Sequence, residues 1–340
     1  MNSKNIKTLL LACCIGGLAT ASLTSCNDEW KEEQYAQYVS FRAPLNDQGV
    51  TPIYMPYTRK NADGTAMFGK GLSNYQLPVI VSGSTHNNST KVVNIAHDPD
   101  TLAALNWARF ATRTELYYED MSNYATYPST VTIPEGQDVS LLDIRFDFNN
   151  LDMAEKWILP ITVAEGAGYI PNMRKNYRKA MLRVFPFNDF SGDYSATGLT
   201  ISIKNDNTSI GQTLLRTYVV DDNTVFFYAG RFDESSPERK KYKVYAQFIG
   251  TTSGTIKLWA DNTNMEFVVN KEASFRIVES EDQVHPYLRY RNVIINNIDY
   301  DFVDYTSSVG SKFSYNVSGT LTLQRTINTQ IPDEDQAIQW

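Results

Sequence analysis

The sequence holds almost no cysteine: three in 340 residues, at Cys13, Cys14 and Cys26. The first two fall in an N-terminal segment whose pattern predicts its removal. The mature chain then keeps one cysteine, at its own N-terminus, which excludes an internal disulfide and a cysteine-rich zinc site. Histidine is equally scarce. His86, His97 and His285 share no metal-ligand spacing, and no Gly-x-Ser-x-Gly elbow supplies a serine nucleophile. Asn61-Ala62-Asp63-Gly64 lacks the further oxygen ligands of a calcium loop and reads as a turn. No cofactor is implied. Positive charge is short as well: 31 Lys and Arg stand against 38 Asp and Glu, a formal charge of −7. Loss of Lys4 and Lys7 with residues 1–25 would take this from −7 to −9. A net acidic chain lacks the electrostatic footprint needed for nucleic acid, so that class of partner is set aside. Long apolar runs are missing too. The one from about Leu9 to Ala21 is too short to span a bilayer comfortably.

What is present points to a packed β protein. Hydrophobic residues make up 42% and charged residues 20%, enough apolar surface for a core. Aromatics reach 12%, with 21 Tyr, and these side chains favour strands. A length of 340 residues predicts about two domains.

The N-terminus carries an address. Lys4 and Lys7 form a charged start, the short apolar stretch follows, and Leu23-Thr24-Ser25-Cys26 closes it. This resembles the bacterial lipobox, in which the cysteine is acylated and becomes the new N-terminus. Several acyl chains on Cys26 would anchor stably where one chain is marginal. Asn27-Asp28-Glu29 follow at once and resemble the surface-export signal of Bacteroidetes lipoproteins. The expectation is a signal peptide over 1–25, a tether over 26–36, and a protein lipid-anchored to the outer membrane and exposed at the cell surface.

Strand signals then recur. Residues 38–41, 53–58, 77–82, 91–95, 131–136, 141–148, 157–163 and 179–185 read as extended, and Asp98 to Ala111 as one helix after an Asp-Pro-Asp start. Leu142, Ile144, Phe146 and Phe148 share one face. About seven strands with short turns predict an immunoglobulin-like β-sandwich over 37–186. Pro186 to Gly192 reads as a boundary. About ten further strands follow: 199–204, 213–220, 224–229, 241–249, 255–260, 265–269, 274–278, 286–295, 299–303 and 313–324. These predict an antiparallel β-barrel over 187–340, lipocalin- or calycin-like, or a second sandwich. The fold class is all-β.

Several phrases carry a family resemblance. Leu77-Pro78-Val79, Leu105-Asn106-Trp107, Thr132-Ile133-Pro134-Glu135-Gly136 and Trp157-Ile158-Leu159-Pro160-Ile161 look like the N-terminal β-sandwich domain of Bacteroidetes surface lipoproteins of polysaccharide-utilisation loci. In some relatives that domain precedes an endo-β-N-acetylglucosaminidase barrel. Gly192-Asp193-Tyr194, Val225 to Gly230, Gly319 to Arg325 and Ile331 to Gln336 are similar to a companion domain of unassigned function. The resemblance implies a surface glycan-binding protein beside an outer-membrane glycan importer. It carries over no binding residue, and the catalytic barrel of the enzymatic relatives is absent.

The residues themselves show no catalytic constellation. Asp98-Pro99-Asp100 and Asp143 to Asp147 both lack the following Glu that chitinase-like chemistry needs. A glycoside hydrolase needs only two carboxylates at a set separation, so it stays as an alternative. The chain is read as non-catalytic.

A sugar site has its own physical logic. Sugar rings present C–H faces, which flat amphipathic aromatics match. In 241–249, Tyr242, Val244, Ala246 and Phe248 share one face; Lys241, Lys243, Tyr245 and Gln247 share the other. In 255–260, Ile256, Leu258 and Ala260 oppose Thr255, Lys257 and Trp259. A three-residue loop with a left-handed Gly254 would join the two strands. That register sets Phe248 against Ile256, Ala246 against Leu258 and Tyr245 against Trp259, with Gln247 and Lys257 alongside. The predicted glycan site is therefore Trp259, Tyr245, Lys257 and Gln247. The alternative is a cross-strand pair that only stabilises the sheet. Further aromatic candidates are Tyr117, Tyr118, Tyr124 and Tyr127, placed in a loop where binding residues often sit. Trp107 is assigned to the core and Trp340 to a docked tail. A structural accessory subunit of the importer, without its own sugar site, is the second functional reading.

Overall fold

The computed structural model describes residues 35–331 apart from 205 and 207. Cys26, the expected signal segment and the tail with Trp340 lie outside the described residues.

The first half alternates strands around one helix: β1 (Val39–Phe41), β2 (Thr51–Pro56), β3 (Leu72–Val81), β4 (Lys91–His97), α1 (Pro99–Phe110), β5 (Tyr118–Asp120), β6 (Ala125–Thr126), β7 (Thr130–Ile133), β8 (Val139–Asp147), β9 (Lys156–Val163) and β10 (Lys179–Phe187). They form two sheets. One has the order β1-β3-β8-β6; the other runs β2-β10-β9-β4-β7, with β5 beside β9. The period-two pattern explains the layering. Leu142, Ile144 and Phe146 of β8 are fully buried against Leu159, Ile161 and Val163 of β9 and Leu182 and Val184 of β10. Two pairings, β2 with β10 and β5 with β9, are parallel. The sequence reading has about seven strands here. The extra ones, β5 and β6, are three and two residues long and carry too little periodicity to be seen, whereas β7 falls on the stretch read at 131–136.

Helix α1 corrects one expectation. Asp98 caps it, accepting from the Thr101 backbone N–H (3.2 Å) and hydroxyl (2.8 Å). Its buried residues are Leu102 and Asn106, whereas Trp107, assigned to the core, is 63% exposed. Asn106 holds the outward register: its amide donates to the Tyr118 carbonyl (2.9 Å) and accepts from the Tyr118 N–H (2.8 Å). The polar side chain faces inward because it completes an edge strand, and this turns Trp107 to solvent.

The second half is all antiparallel: β11 (Gly192–Ile203), β12 (Ser209–Gly211), β13 (Leu214–Val219), β14 (Thr224–Tyr228), β15 (Lys243–Gly250), β16 (Ser253–Trp259), β17 (Val268–Val269), β18 (Ala273–Glu281), β19 (Leu288–Asp304) and β20 (Phe313–Asn328). Each pairs with the next around a ring of eight, β11-β13-β14-β15-β16-β18-β19-β20, and β20 returns to β11. The sheet is a closed barrel, which removes the free edges that a sandwich would leave. The strand expected at 265–269 is a short 3-10 turn, Thr263–Met265, followed by the two-residue β17.

Inward side chains fill the barrel. Val225, Phe227, Val244, Ala246, Phe248, Ile256, Leu258, Val293, Ile295 and Leu321 belong to one buried cluster. Phe190 plugs one end, stacked on Phe248 at 3.9 Å between ring centres. Phe232 covers Tyr242 at the other end, at 3.7 Å. The void left inside is about 10 Å³, no more than a single water needs. Unlike a ligand-carrying barrel, this one has its interior spent on its own core.

Closure depends on a tight crossing. The register of β11 shifts between Ser195 and Gly198, and that of β19 between Ile295 and Ile298. Gly319 of β20 lies opposite both, at φ 142°, where an added Cβ would stand 2.0 Å from the Gly198 carbonyl oxygen. Gly319→Ala is therefore expected to destabilise the chain by about 2 kcal/mol or more, from strain alone. Urea unfolding measures this; an unchanged midpoint would show that the closing strands do not meet as described.

Candidate functional site

A filled barrel has only its outer wall and its ends to offer a ligand. The predicted pair sits on the wall. Tyr245 lies directly across from Trp259, Ala246 from Leu258, Gln247 from Lys257 and Phe248 from Ile256. The register is the one that the alternation predicts, because a slip by one residue would turn Lys257 into the barrel core. The turn differs. Gly250 pairs with Gly254, and Gly250, at φ 129°, takes the positive backbone angle expected of Gly254. Both positions exclude a side chain: a Cβ would lie 2.2 Å from the Ser253 carbonyl oxygen at Gly250 and 1.9 Å from that of Ile249 at Gly254.

Val244, Ala246, Phe248, Ile256 and Leu258 point inward, so Tyr245, Gln247, Lys257 and Trp259 point outward. The two rings stack at 5.2 Å between centres and 14° between planes. Lys257 is exposed, with its ammonium 5.7 Å from the centre of the Trp259 ring. Lys243 stands on the other side, 5.6 Å from the centre of the Tyr245 ring. The result is a half-buried aromatic step between two cations, with the Gln247 amide beside it.

The step is part of a longer row. Tyr245 meets Phe226 of β14 at 6.3 Å, and Phe226 stacks on Tyr218 of β13 at 5.1 Å. Tyr218, Phe226 and Tyr228 are buried beneath Ala154 and Met153 of the first domain. The sequence carries a signal for this that the two-face reading passes over. Thr224 to Tyr228 is apolar or small on both faces, and every residue of it is buried. A run of that kind marks a strand covered from both sides. Its outer cover is the sandwich.

The junction that makes the cover is rich in buried cations. Arg239 is fully buried; its Nε donates to the Ala154 carbonyl (3.1 Å) and Nη1 to that of Glu115 (2.9 Å). Arg183 pairs with Glu234, Lys240 with Glu155, and Lys243 with Asp152 at 2.9 Å. Burial works against the charge on Lys243, but its bond to Asp152 outweighs that and raises its pKa. Burial also raises that of Tyr245, with Lys243 pulling the other way. So the sandwich fixes Lys243, and Lys243 fixes one side of the aromatic step.

The remaining candidates are separate from it. Tyr118, expected in a loop, is a buried residue of β5, 4% exposed, because the Asn106 clamp draws it into the sheet. Tyr117 donates to the Ala111 carbonyl (2.6 Å). Tyr124 packs edge-on against Trp157 at 5.3 Å, and Tyr127 is half-buried on the sandwich core. His86 pairs with Asp138 and His97 with Asp120, each at 2.6 Å, and His285 lies 3.6 Å from Asp282. Among the described residues, no group of three His, Cys, Asp or Glu side chains is placed to hold a metal ion. No helix among them is long and apolar enough to cross a membrane.

Lys156 is held against aromatic rings. It is buried, carries no ion pair among the described residues, and its ammonium lies 4.3 Å from the centre of the Phe110 ring and 5.3 Å from that of Tyr118. Burial lowers its pKa to about 8, helped by Arg239 and Arg183 and opposed by Glu234. The folded value lies below the ordinary 10.5, so the folded chain holds fewer protons between about 8 and 10.5. Stability from this group therefore rises with pH across that window. Lys156→Met is expected to be more stable than the native chain at neutral pH, with the difference shrinking as pH climbs from 8 towards 10. Paired thermal melts across that range check the sign.

Comparison with known proteins gives a consistent set. A family model for a domain of unknown function (DUF4973) matches residues 30–167, and a model for a C-terminal domain matches residues 178–322. An auxiliary nutrient binding protein from Bacteroides thetaiotaomicron is 48% identical over 90% of this chain and 100% of its own, with a TM-score of 0.81. A multidomain protein including DUF1735 from Bacteroides ovatus is 39% identical over 89% of this chain and 100% of its own, with a TM-score of 0.76. A protein of unknown function from the same species is 33% identical, covering 92% and 97%, with a TM-score of 0.76. No protein of curated function matches.

Proposed function

The chain belongs to the family of two-domain β proteins that includes the auxiliary nutrient binding protein of Bacteroides thetaiotaomicron, and on that premise we propose that it is a non-catalytic glycan-binding lipoprotein of the cell surface. In this reading acyl chains on Cys26 hold it to the outer membrane, and it captures oligosaccharides for an importer in the same membrane. The observation that carries it is the outward Tyr245–Trp259 step, 5.2 Å between rings, with Gln247 and Lys257 at its side. The aromatic surface would take the C–H face of a sugar, and the amide and ammonium its hydroxyl groups. The name of the nutrient-binding relative supports a role in capture, and the filled barrel supports a site on the outer wall rather than in the interior.

A binding protein of this kind needs little affinity per unit, because a polymer offers many units to one surface. The soluble chain beginning at Asn27 is to be titrated with a panel of plant and host glycans. One glycan class is expected to bind. Trp259→Ala is expected to weaken it roughly tenfold, the loss of about 1–1.5 kcal/mol of ring contact. Binding that survives in the variant would move the site elsewhere. A panel without any binder would sink the glycan reading and leave a structural subunit of the importer, for which co-purification of a membrane partner is the measurement.

A further inference from the structure

The outer face of the first sheet changes character along its strands. At one end the outward pairs of β3 and β8 are Leu72 with Asp147, Asn74 with Arg145 and Gln76 with Asp143. At the other end they are Pro78 with Leu141 and Ile80 with Val139, and Leu141 and Val139 are exposed. The two ends stand roughly 25 Å apart along the strands.

Strand β1 extends the apolar end. Val39 is buried and bridges Pro171, of the loop between β9 and β10, in parallel. Side chains alternate across a pleat, so Tyr38 and Ile170, one residue earlier on each segment, stand side by side on the outer face. Both are exposed, as are Met173 and Tyr177 of the same loop. The loop is pinned to β1. The Val39 N–H donates to the Ile170 carbonyl (2.8 Å), the Asn172 N–H to the Val39 carbonyl (2.8 Å) and the Phe41 N–H to the Tyr177 carbonyl (3.0 Å). Between these pins Lys175 and Asn176 take left-handed backbone angles, φ 47° and 58°. The apolar side chains therefore sit on a held tip.

Cations surround the tip. Arg174 and Lys175 lie on it, Arg42 lies on β1, and all three are exposed without an ion pair among the described residues. The acid of the loop, Glu165, is taken by Arg178 at 3.5 Å. The patch also lies where the anchored segment enters the fold. Tyr38 follows Tyr35 by three residues, and Cys26 precedes Tyr35 by nine, so those nine residues span at most about 30 Å. Exposed tyrosine and aliphatic side chains suit the headgroup layer of a bilayer, and unpaired cations suit its phosphates. An acyl anchor and a basic patch hold a protein to a membrane more firmly than the anchor alone.

We propose that this end of the sandwich, around Tyr38, Ile170, Met173 and Lys175, rests on an anionic lipid surface and sets how the anchored protein stands on its membrane. It rests on the anchor at Cys26 in the reading above and adds the face that meets the bilayer. The polar end of the same sheet then points away from the lipid. Met67 belongs to that polar end. It lies in the loop before β3, beside Phe68, whose ring centre is 5.1 Å from the Arg145 guanidinium carbon.

Two exposed methionines thus mark the two ends: Met173, 62% exposed, and Met67, 46% exposed. Cys26 is the one cysteine of the mature chain, so its thiol can be coupled selectively to a maleimide lipid. The chain from Cys26 onward is coupled in this way to vesicles of phosphatidylethanolamine and phosphatidylglycerol. Hydroxyl-radical oxidation of the two methionines is then followed by mass spectrometry, with the uncoupled chain alongside. Coupling is expected to slow Met173 by about threefold or more, as a side chain moves into the headgroup layer, and to leave Met67 unchanged. Ile170→Glu with Lys175→Glu, both at exposed positions, is expected to keep its melting temperature and to return Met173 to the rate of the uncoupled chain. Equal rates at both methionines after coupling, or protection that survives in the double variant, would overturn the proposal. A Met173 already slow in the uncoupled chain would overturn it too, since residues 26–34 would then cover the face. Chemical coupling replaces acylation, so this result stands apart from the anchor reading, which falls separately if the native chain in cells carries no lipid on Cys26.

Discussion

A β-barrel of eight strands is just wide enough to be filled by its own side chains, and this chain fills it. Phe190 and Phe248 close one end, Phe232 and Tyr242 the other, and the inward faces of the strands between them leave room for about one water. Everything else about the molecule follows from that. A packed interior makes the barrel rigid and takes away the cavity that other barrels use for ligands. The proposed site therefore lies on the outer wall, where the alternate residues of the same strands stand. The Gly198–Gly319 crossing is the local condition for it, because the ring closes only where two backbones approach without side chains.

The outer wall is itself divided. Its β13–β14–β15 face is covered by the sandwich through Ala154, Met153 and the buried Arg239. Arg239 and Arg183 are withdrawn from water here, and ion pairs cross the junction: buried Arg183 with Glu234, exposed Lys240 with Glu155, half-buried Lys243 with Asp152. A buried pair such as Arg183–Glu234 adds little net stability, since desolvation offsets its attraction, but breaking it is costly, and the more exposed pairs add less. They fix the geometry of the two domains rather than their adhesion. Lys156 shows the expense openly, with an ammonium kept over aromatic rings at a lowered pKa. The aromatic row crosses the border of this covered region. Its buried middle, Phe226, is structural, and its outer members Tyr245 and Trp259 reach solvent as the continuation of a packed layer. That anchoring holds the rings in place, which under the proposed glycan-binding reading would lower the entropy lost on binding.

The pairing of Tyr245 with Trp259 was legible in the sequence. Two strands with strict alternation and a short glycine turn admit a single register that keeps Phe248 and Ile256 inside and Lys257 outside. The same reasoning failed wherever a polar contact at a distance overrode the pattern. Trp107 reads as core because helical spacing favours it, but Asn106 is drawn inward by the backbone of Tyr118, and the tryptophan turns out. Tyr118 reads as a loop residue because three-residue β5 has no period to detect.

By itself, then, the sequence determined what depends on neighbours along the chain: strand periodicity, the hairpin register and the all-β class. Those are short-range consequences of which side of a pleat each residue occupies. The tertiary structure decided what depends on residues far apart: the closing of β20 on β11, the cover of the sandwich over β14, the rotation of α1, and which polar groups are left unpaired. The physical reason is that burial and hydrogen bonding are satisfied by whatever partner the fold delivers, and that partner can stand a hundred residues away, as Glu115 does for Arg239.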